Sequence, residues 1–203
     1  MDVVERLRRI NSALTRCRVP ATQWPVRFVQ TPKMRFMEAN FGGGASPDQL
    51  LNDAWSLIAN IASLADHLRK WARVNGRDPR KVDETIRASR DLQVVIDLWN
   101  RDKHGGDPRN GGKSGLNPRL DGVERALQMR TQAKKGSSVM VQQGRDGRLH
   151  SYGDGTASID TSGTVYGAQG KKLGDLQDIA AAAIKAWEAL LVTYEVGRGI
   201  SMN

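Results

Sequence analysis

Cysteine is nearly absent from this sequence: Cys17 is the only one in 203 residues. One thiol cannot close an intramolecular disulfide, which excludes a small secreted scaffold stapled by bridges and points to a reducing, cytoplasmic setting. Histidine is almost as scarce, at positions 67, 104 and 150 only, and their spacing with Cys17 makes no zinc cluster. No metal and no cofactor is therefore expected. Aromatic residues are 5% of the chain, too few for an extended base-stacking platform, with Arg27-Phe28 and Arg35-Phe36 the suggestive cation–ring neighbours. No run approaches the roughly 18 apolar residues of a membrane span. The opening turn, with Asp2, Glu5, Arg6, Arg8 and Arg9, is too charged for a signal peptide. Neither secretion nor a membrane partner is expected.

What is abundant is positive charge. The net charge is +9, and it is unevenly spread. Residues 1–46 carry eight basic and three acidic side chains, and residues 101–148 carry eleven and five. Residues 47–100 balance at eight and eight, and residues 149–203 lean acidic at four and six. The excess belongs to an N-terminal arm and a middle connection, where a phosphate-binding surface would place it, because Lys and Arg gain affinity by releasing counterions from nucleic acid. The candidate phosphate contacts are Arg27, Lys33 and Arg35 on the arm, Arg109, Lys113 and Arg119 in the middle connection, and Lys134 and Lys135 beyond it. The alternative is solubility alone.

The periodicity separates helix from strand. Val3, Leu7, Ile10 and Leu14 mark a helix over residues 2–16. Pro20, Pro25 and Pro32 then break the chain into short extended pieces at 26–30 and 34–37, and Gly42-Gly43-Gly44 reads as a hinge. Ser46-Pro47-Asp48-Gln49 is a helix start with a capping box. An apolar stripe from Leu50 to Trp71 follows, and Gly76 is a suitable stop. A second long helix from Asp78-Pro79 to His104 is expected to fold back on it as a hairpin. Residues 105–118 have no hydrophobic period and read as a mobile basic loop. Residues 120–132 lean towards strand, and 139–141, 148–152, 156–159 and 164–166 are short strands parted by glycine-containing turns, among them Thr161-Ser162-Gly163. A last helix spans residues 176–196 and stops at Gly197. Trp55, Trp71, Trp99 and Trp187 are in register with apolar stripes and belong to the core, whereas Trp24, between prolines, reads as an anchor for a partner.

The chemistry-bearing cluster is on the second long helix. Asp97, Asn100, Arg101 and His104 fall at i, i+3, i+4 and i+7, with Lys103 beside them. An imidazole, which titrates near neutrality, can move a proton while a neighbouring cation steadies phosphate charge, the minimum for metal-independent cleavage of RNA through its 2′-hydroxyl. The same residues have a structural reading. Lys103 and His104 offset the negative end of a helix, and Asp97 with Arg101 is an i,i+4 ion pair.

His67-Leu68-Arg69-Lys70-Trp71 and Asp97-Leu98-Trp99-Asn100-Arg101-Asp102-Lys103-His104 together resemble an H-L-x-x-W … D-x-x-N-x-x-K-H pattern of bacterial helical proteins. These are similar in turn to the HEPN superfamily of α-helical domains, many of which are RNases of toxin–antitoxin and antiviral systems. The resemblance covers residues 46–104. It implies a helical fold and RNA as substrate, with His104 matching the superfamily's catalytic histidine and Asn100 and Lys103 as polar partners. The superfamily places that histidine four to six residues beyond an arginine; here two residues separate Arg101 from His104.

The expected fold is mainly α (α+β): an antiparallel helical bundle with a small antiparallel β-meander inserted before the last helix. Its parts are a basic helix and arm (1–45), a helical hairpin core (46–104), a flexible basic linker (105–118), the meander (119–170) and a closing helix (171–203). Two functions are open. One is an RNA-binding protein, including a metal-independent RNase of a defence or toxin system. The other is a non-catalytic homodimer that docks a protein partner through the arm or the meander.

Overall fold

Val3, Ile10, Ala13 and Cys17 bury one side of the first helix, α1 (Val3–Cys17), which packs against the long α2 (Pro47–Val74). The computed structural model describes residues 3–20, 24, 27–30, 35–38 and 45–195, with only the backbone of 27–30 and 35–38. Lys33, glycines 42–44 and Gly197 lie outside the described residues, as do the side chains of Arg27 and Arg35. α2 begins as the capping box dictates: Gln49 N–H donates to Ser46 Oγ at 3.2 Å, and Ser46 N–H donates to Gln49 Oε1 at 2.9 Å.

The helix expected over 78–104 is two helices, α3 (Arg80–Ala88) and α4 (Arg90–His104). Ser89 leaves helical geometry at φ −112°, ψ 107°, and its hydroxyl accepts from Leu92 N–H to start α4 afresh. α4 ends at Gly105, left-handed at φ 65°.

The strands do not form a meander. β1 (Arg18–Pro20) leaves α1 directly, and β2 (Arg27–Gln30) and β3 (Arg35–Glu38) pair as a hairpin. Then come β4 (Arg119–Arg130), β5 (Val139–Gln143), β6 (Leu149–Gly153), β7 (Thr156–Tyr166) and β8 (Lys172–Asp175), which leads into α5 (Leu176–Thr193). β7 is the middle of a four-stranded antiparallel sheet. β4 lies along one edge, while β1 pairs with residues 158–160 and β8 with 164–166 along the other. Among the described residues, β5 and β6 pair only with each other.

The expected bundle with an inserted meander is thus overturned, in favour of a mixed α+β fold in which the sheet shares the helical core. Val165 of β7 belongs to the same buried cluster as the helices, with Leu120 and Val123 of β4 and Leu173 of β8 packed against it. The helices are not uniformly antiparallel either. The indole N–H of Trp187 donates to Ile61 O at 3.0 Å, and Tyr194 stacks on Trp71 at 5.7 Å, so α5 runs in the same direction as α2. Trp55, Trp71 and Trp99 are partly buried against the core. Trp24 is buried under the Arg125 guanidinium, 5.7 Å from its ring, rather than presented to a partner. No helix among the described residues is long and apolar enough to cross a membrane.

Thr161-Ser162-Gly163, expected as a turn, runs straight through β7. Its glycine is required by packing. β4 bulges between Asp121 and Glu124, and a β-carbon at 163 would lie 2.9 Å from the Asp121 carbonyl oxygen and 2.9 Å from Leu120 Cδ1. Gly163→Ala should therefore lower stability by about 1–3 kcal/mol, measured by urea unfolding; an unchanged midpoint would mean the bulge yields without cost.

Candidate nucleic-acid interface

The polar stripe of α4 is divided between two tasks. Asp97 is buried, and its carboxylate accepts from Lys113 N–H and Ser114 N–H, both at 2.8 Å, and from the Ser114 hydroxyl at 2.7 Å. It is a clamp for the connection after α4 and has no open face for catalysis. Gly112 at φ 82° passes so close that a β-carbon there would collide with the Asp97 carboxyl. Arg101, the other member of the expected ion pair, turns away from Asp97. It donates to Asn117 Oδ1 at 3.1 Å and pairs with Asp107. Asp107 also receives Asn117 Nδ2 at 3.1 Å and Arg119 at 3.4 Å. These contacts, Asn117 first and then Arg101 and Arg119, hold the Asp107 carboxyl below the usual carboxylate range.

Residues 105–118, read from the sequence as a mobile linker, are therefore tied to α4 along its last two turns. A short 3₁₀ turn, Arg109–Gly111, sits within them, with Asn110 held left-handed at φ 54°. The local signal was composition, and composition cannot show that a buried carboxylate one element earlier captures two backbone N–H groups.

What stays outward is Asn100, Lys103 and His104. Lys103 and His104 are exposed, and Asn100 and His104 line a concavity of about 590 Å³ with Gly106, Asp107, Pro108 and Arg109. The structure thus gathers Asn100, His104 and Arg109 and removes Asp97 and Arg101. Lys113 faces elsewhere, into a depression with Asp83, Ile86, Arg87 and Gln93. Lys134 is committed to Asp154 at 2.7 Å, and Lys135 is exposed. Arg119 is held by Asp107.

Among the described residues, the other two histidines and the cysteine give no alternative centre. His150 meets Asp146 at 3.0 Å across the turn between β5 and β6. His67 has its pKa lowered by burial and by Arg6. Burial, with Asp53 nearby, pushes the Cys17 thiol up to about 11, so it stays protonated and is a poor nucleophile. Among the described residues no group of three or more His, Cys, Asp or Glu could hold a metal ion.

Sequence reasoning missed one cluster altogether. Asp160 of β7 is fully buried, with Arg130 Nη2 at 2.6 Å and Arg18 Nε at 3.5 Å. No local motif marks it, because strand register alone brings residues 18, 130 and 160 together. Compared with models of protein families, with curated proteins and with solved structures, the chain finds no match in any of the three.

Two predictions follow from this geometry. Asp97→Ala should cost on the order of 3 kcal/mol, because two N–H groups and a hydroxyl lose their acceptor, and should speed hydrogen exchange at the Lys113 and Ser114 amides; unchanged exchange would show the connection is held otherwise. Asp154 has its carboxyl lowered to about 2 by the Lys134 ammonium, the Ser138 N–H and the Ser137 hydroxyl. A depressed folded value means these contacts are complete above the usual 3.8 and are lost as pH falls through about 2. The Ser138 amide resonance should shift with that midpoint, and a midpoint near 4 would contradict the pairing.

Proposed function

We propose that this chain binds single-stranded RNA without cleaving it, through the last turn of α4 and the connection that Asp97 clamps against it. The observation that carries the reading is the concavity in which Asn100, His104 and Arg109 face outward together, with exposed Lys103 beside them. Arg109 supplies charge for a phosphate, Asn100 supplies an amide that both donates and accepts, and His104 supplies a ring able to stack or hydrogen-bond. The +9 net charge supplies the long-range attraction. The HEPN resemblance favours RNA as the polyanion.

Cleavage is left out for a chemical reason. Transfer through a 2′-hydroxyl needs one group to take a proton, another to return it, and a cation on the phosphate. Asp97 and Arg101, which stood closest to those roles, are consumed by backbone and carboxylate contacts. The carboxylate that shares the concavity with His104, Asp107, is already engaged by Asn117, Arg101 and Arg119.

A second reading, docking of a protein, is favoured by one observation: Met140 and Tyr152 stand directly opposite each other on β5 and β6 and are both exposed. The test separates the two. Anisotropy of a labelled single-stranded RNA should give an affinity that falls with rising salt, and the Lys103→Ala/Arg109→Ala pair should flatten the log–log slope by about 1.4, at about 0.7 per phosphate on a single strand. The RNA should remain intact throughout. Absence of salt-dependent binding, with a scattering mass that rises with protein concentration, would replace this reading with the second.

A further inference from the structure

We infer a second, separate binding site for a small amphipathic monoanion, a carboxylate on a short hydrocarbon body, in the cleft between α1, β1 and the start of β7. The starting point is Asp160. Pairing of Arg18 with Asp160 across β1 and β7, and of Ala126 with Asp160 across β4 and β7, puts the Arg18 and Arg130 side chains on the same sheet face as this carboxylate, which is 0% exposed. Arg130 uses both ends of its guanidinium, Nη2 on Asp160 Oδ2 at 2.6 Å and Nη1 on Ser158 Oγ at 3.2 Å. Arg18 approaches the same carboxylate oxygen at 3.5 Å, and among the described residues its Nε makes no hydrogen bond. Two guanidiniums thus share one carboxylate, and one unit of positive charge is left over.

That excess borders a cleft. Arg18 and Arg130 are only partly covered, at 38% and 33% side-chain exposure, and both line a cavity of about 470 Å³. Its remaining surface is largely apolar, from Leu14, Pro20 and Ala157, with hydroxyls from Thr15, Thr156 and Ser158. The volume is that of a small-molecule pocket, and a few charged groups on a mostly apolar wall is the usual composition of one. A guanidinium pair selects a planar or tetrahedral oxyanion. The apolar wall selects hydrocarbon, and the two guanidiniums repel an ammonium. Asp160 contributes by holding both arginines in place before the ligand arrives, which reduces the ordering cost of binding.

The experiment is calorimetric titration of the full chain with sodium octanoate in 50 mM salt, with octan-1-ol and octylamine as comparisons. Octanoate should bind at one site per chain, at least tenfold more tightly than octanol, and octylamine should not bind. Arg18→Gln, which leaves the Arg130–Asp160 pair intact, should weaken octanoate at least tenfold. Thr15→Trp, at an exposed position of α1 on the cleft wall, should block it without disturbing the core, and serves if the first variant does not fold. RNA affinity should be the same in both variants, so the two proposals fail separately. No octanoate binding, equal affinity for octanol, or unchanged affinity in either folded variant would overturn the site.

Discussion

The fold depends on one strand being paired along both of its edges. β7 takes β4 on one side and, on the other, β1 from the beginning of the chain and β8 from just before the last helix. Because β1 follows α1 without a connecting residue and β8 leads straight into α5, this ladder also fixes where α1 ends and where α5 starts. The buried Gln177 side chain in the first turn of α5 donates to Thr161 O at 2.7 Å, and Trp187 two to three turns later donates to Ile61 O. Sheet and helices are locked by buried hydrogen bonds whose loss would leave polar groups stranded in the core, so the two layers form together.

A strand so enclosed must find partners for its own polar side chains. On one face Asp160 is met by Arg18 and Arg130; on the other Thr161 receives Arg125 Nε at 2.9 Å, and Arg125 reaches towards Asp53 and covers Trp24. An ion pair built on a carboxylate as deeply buried as Asp160 contributes little net stability, since desolvation offsets most of the attraction. Their effect is on register. A slip of one residue would turn Asp160 into the apolar core and take Thr161 from Arg125, so the arginines penalise every alternative alignment of the three strands.

The same division of labour explains the candidate interface. Asp97 and Arg101 form one i,i+4 column on α4, and Asn100 and His104 form the next, roughly 60° around the helix at 100° per residue. The returning connection covers the first column and leaves the second. A stripe that looks like one catalytic constellation in the sequence is therefore half fastening and half surface. Whatever binds there meets a wall whose shape is set by the Asp97 clamp and the left-handed backbone at Gly112.

Local chemistry was enough to make several elements legible: the capping box at Ser46, the stripe of α2, the glycine stops at Gly76 and Gly105, the strand character of β4 and the hairpin of β5 and β6 all rest on interactions within a few residues. The exposure of Lys103 and His104 follows in the same way from a helix end. The sheet was not legible, because β1 and β8 are three and four residues long and have no pattern of their own. They are strands only because β7 offers them an edge. The straight passage through Gly163 was hidden for the same reason, a tertiary contact overriding a local signal, whereas the break at Ser89 rests on a local cap, its hydroxyl accepting from Leu92 N–H. The burial of Asp97 and Asp160 was decided entirely by partners 16 to 142 residues away. Short-range hydrogen bonding and hydrophobic period wrote the elements into the sequence; only tertiary closure, of distant strands on β7 around Asp160 and of the returning connection over Asp97, determined which charges were enclosed and which were left exposed.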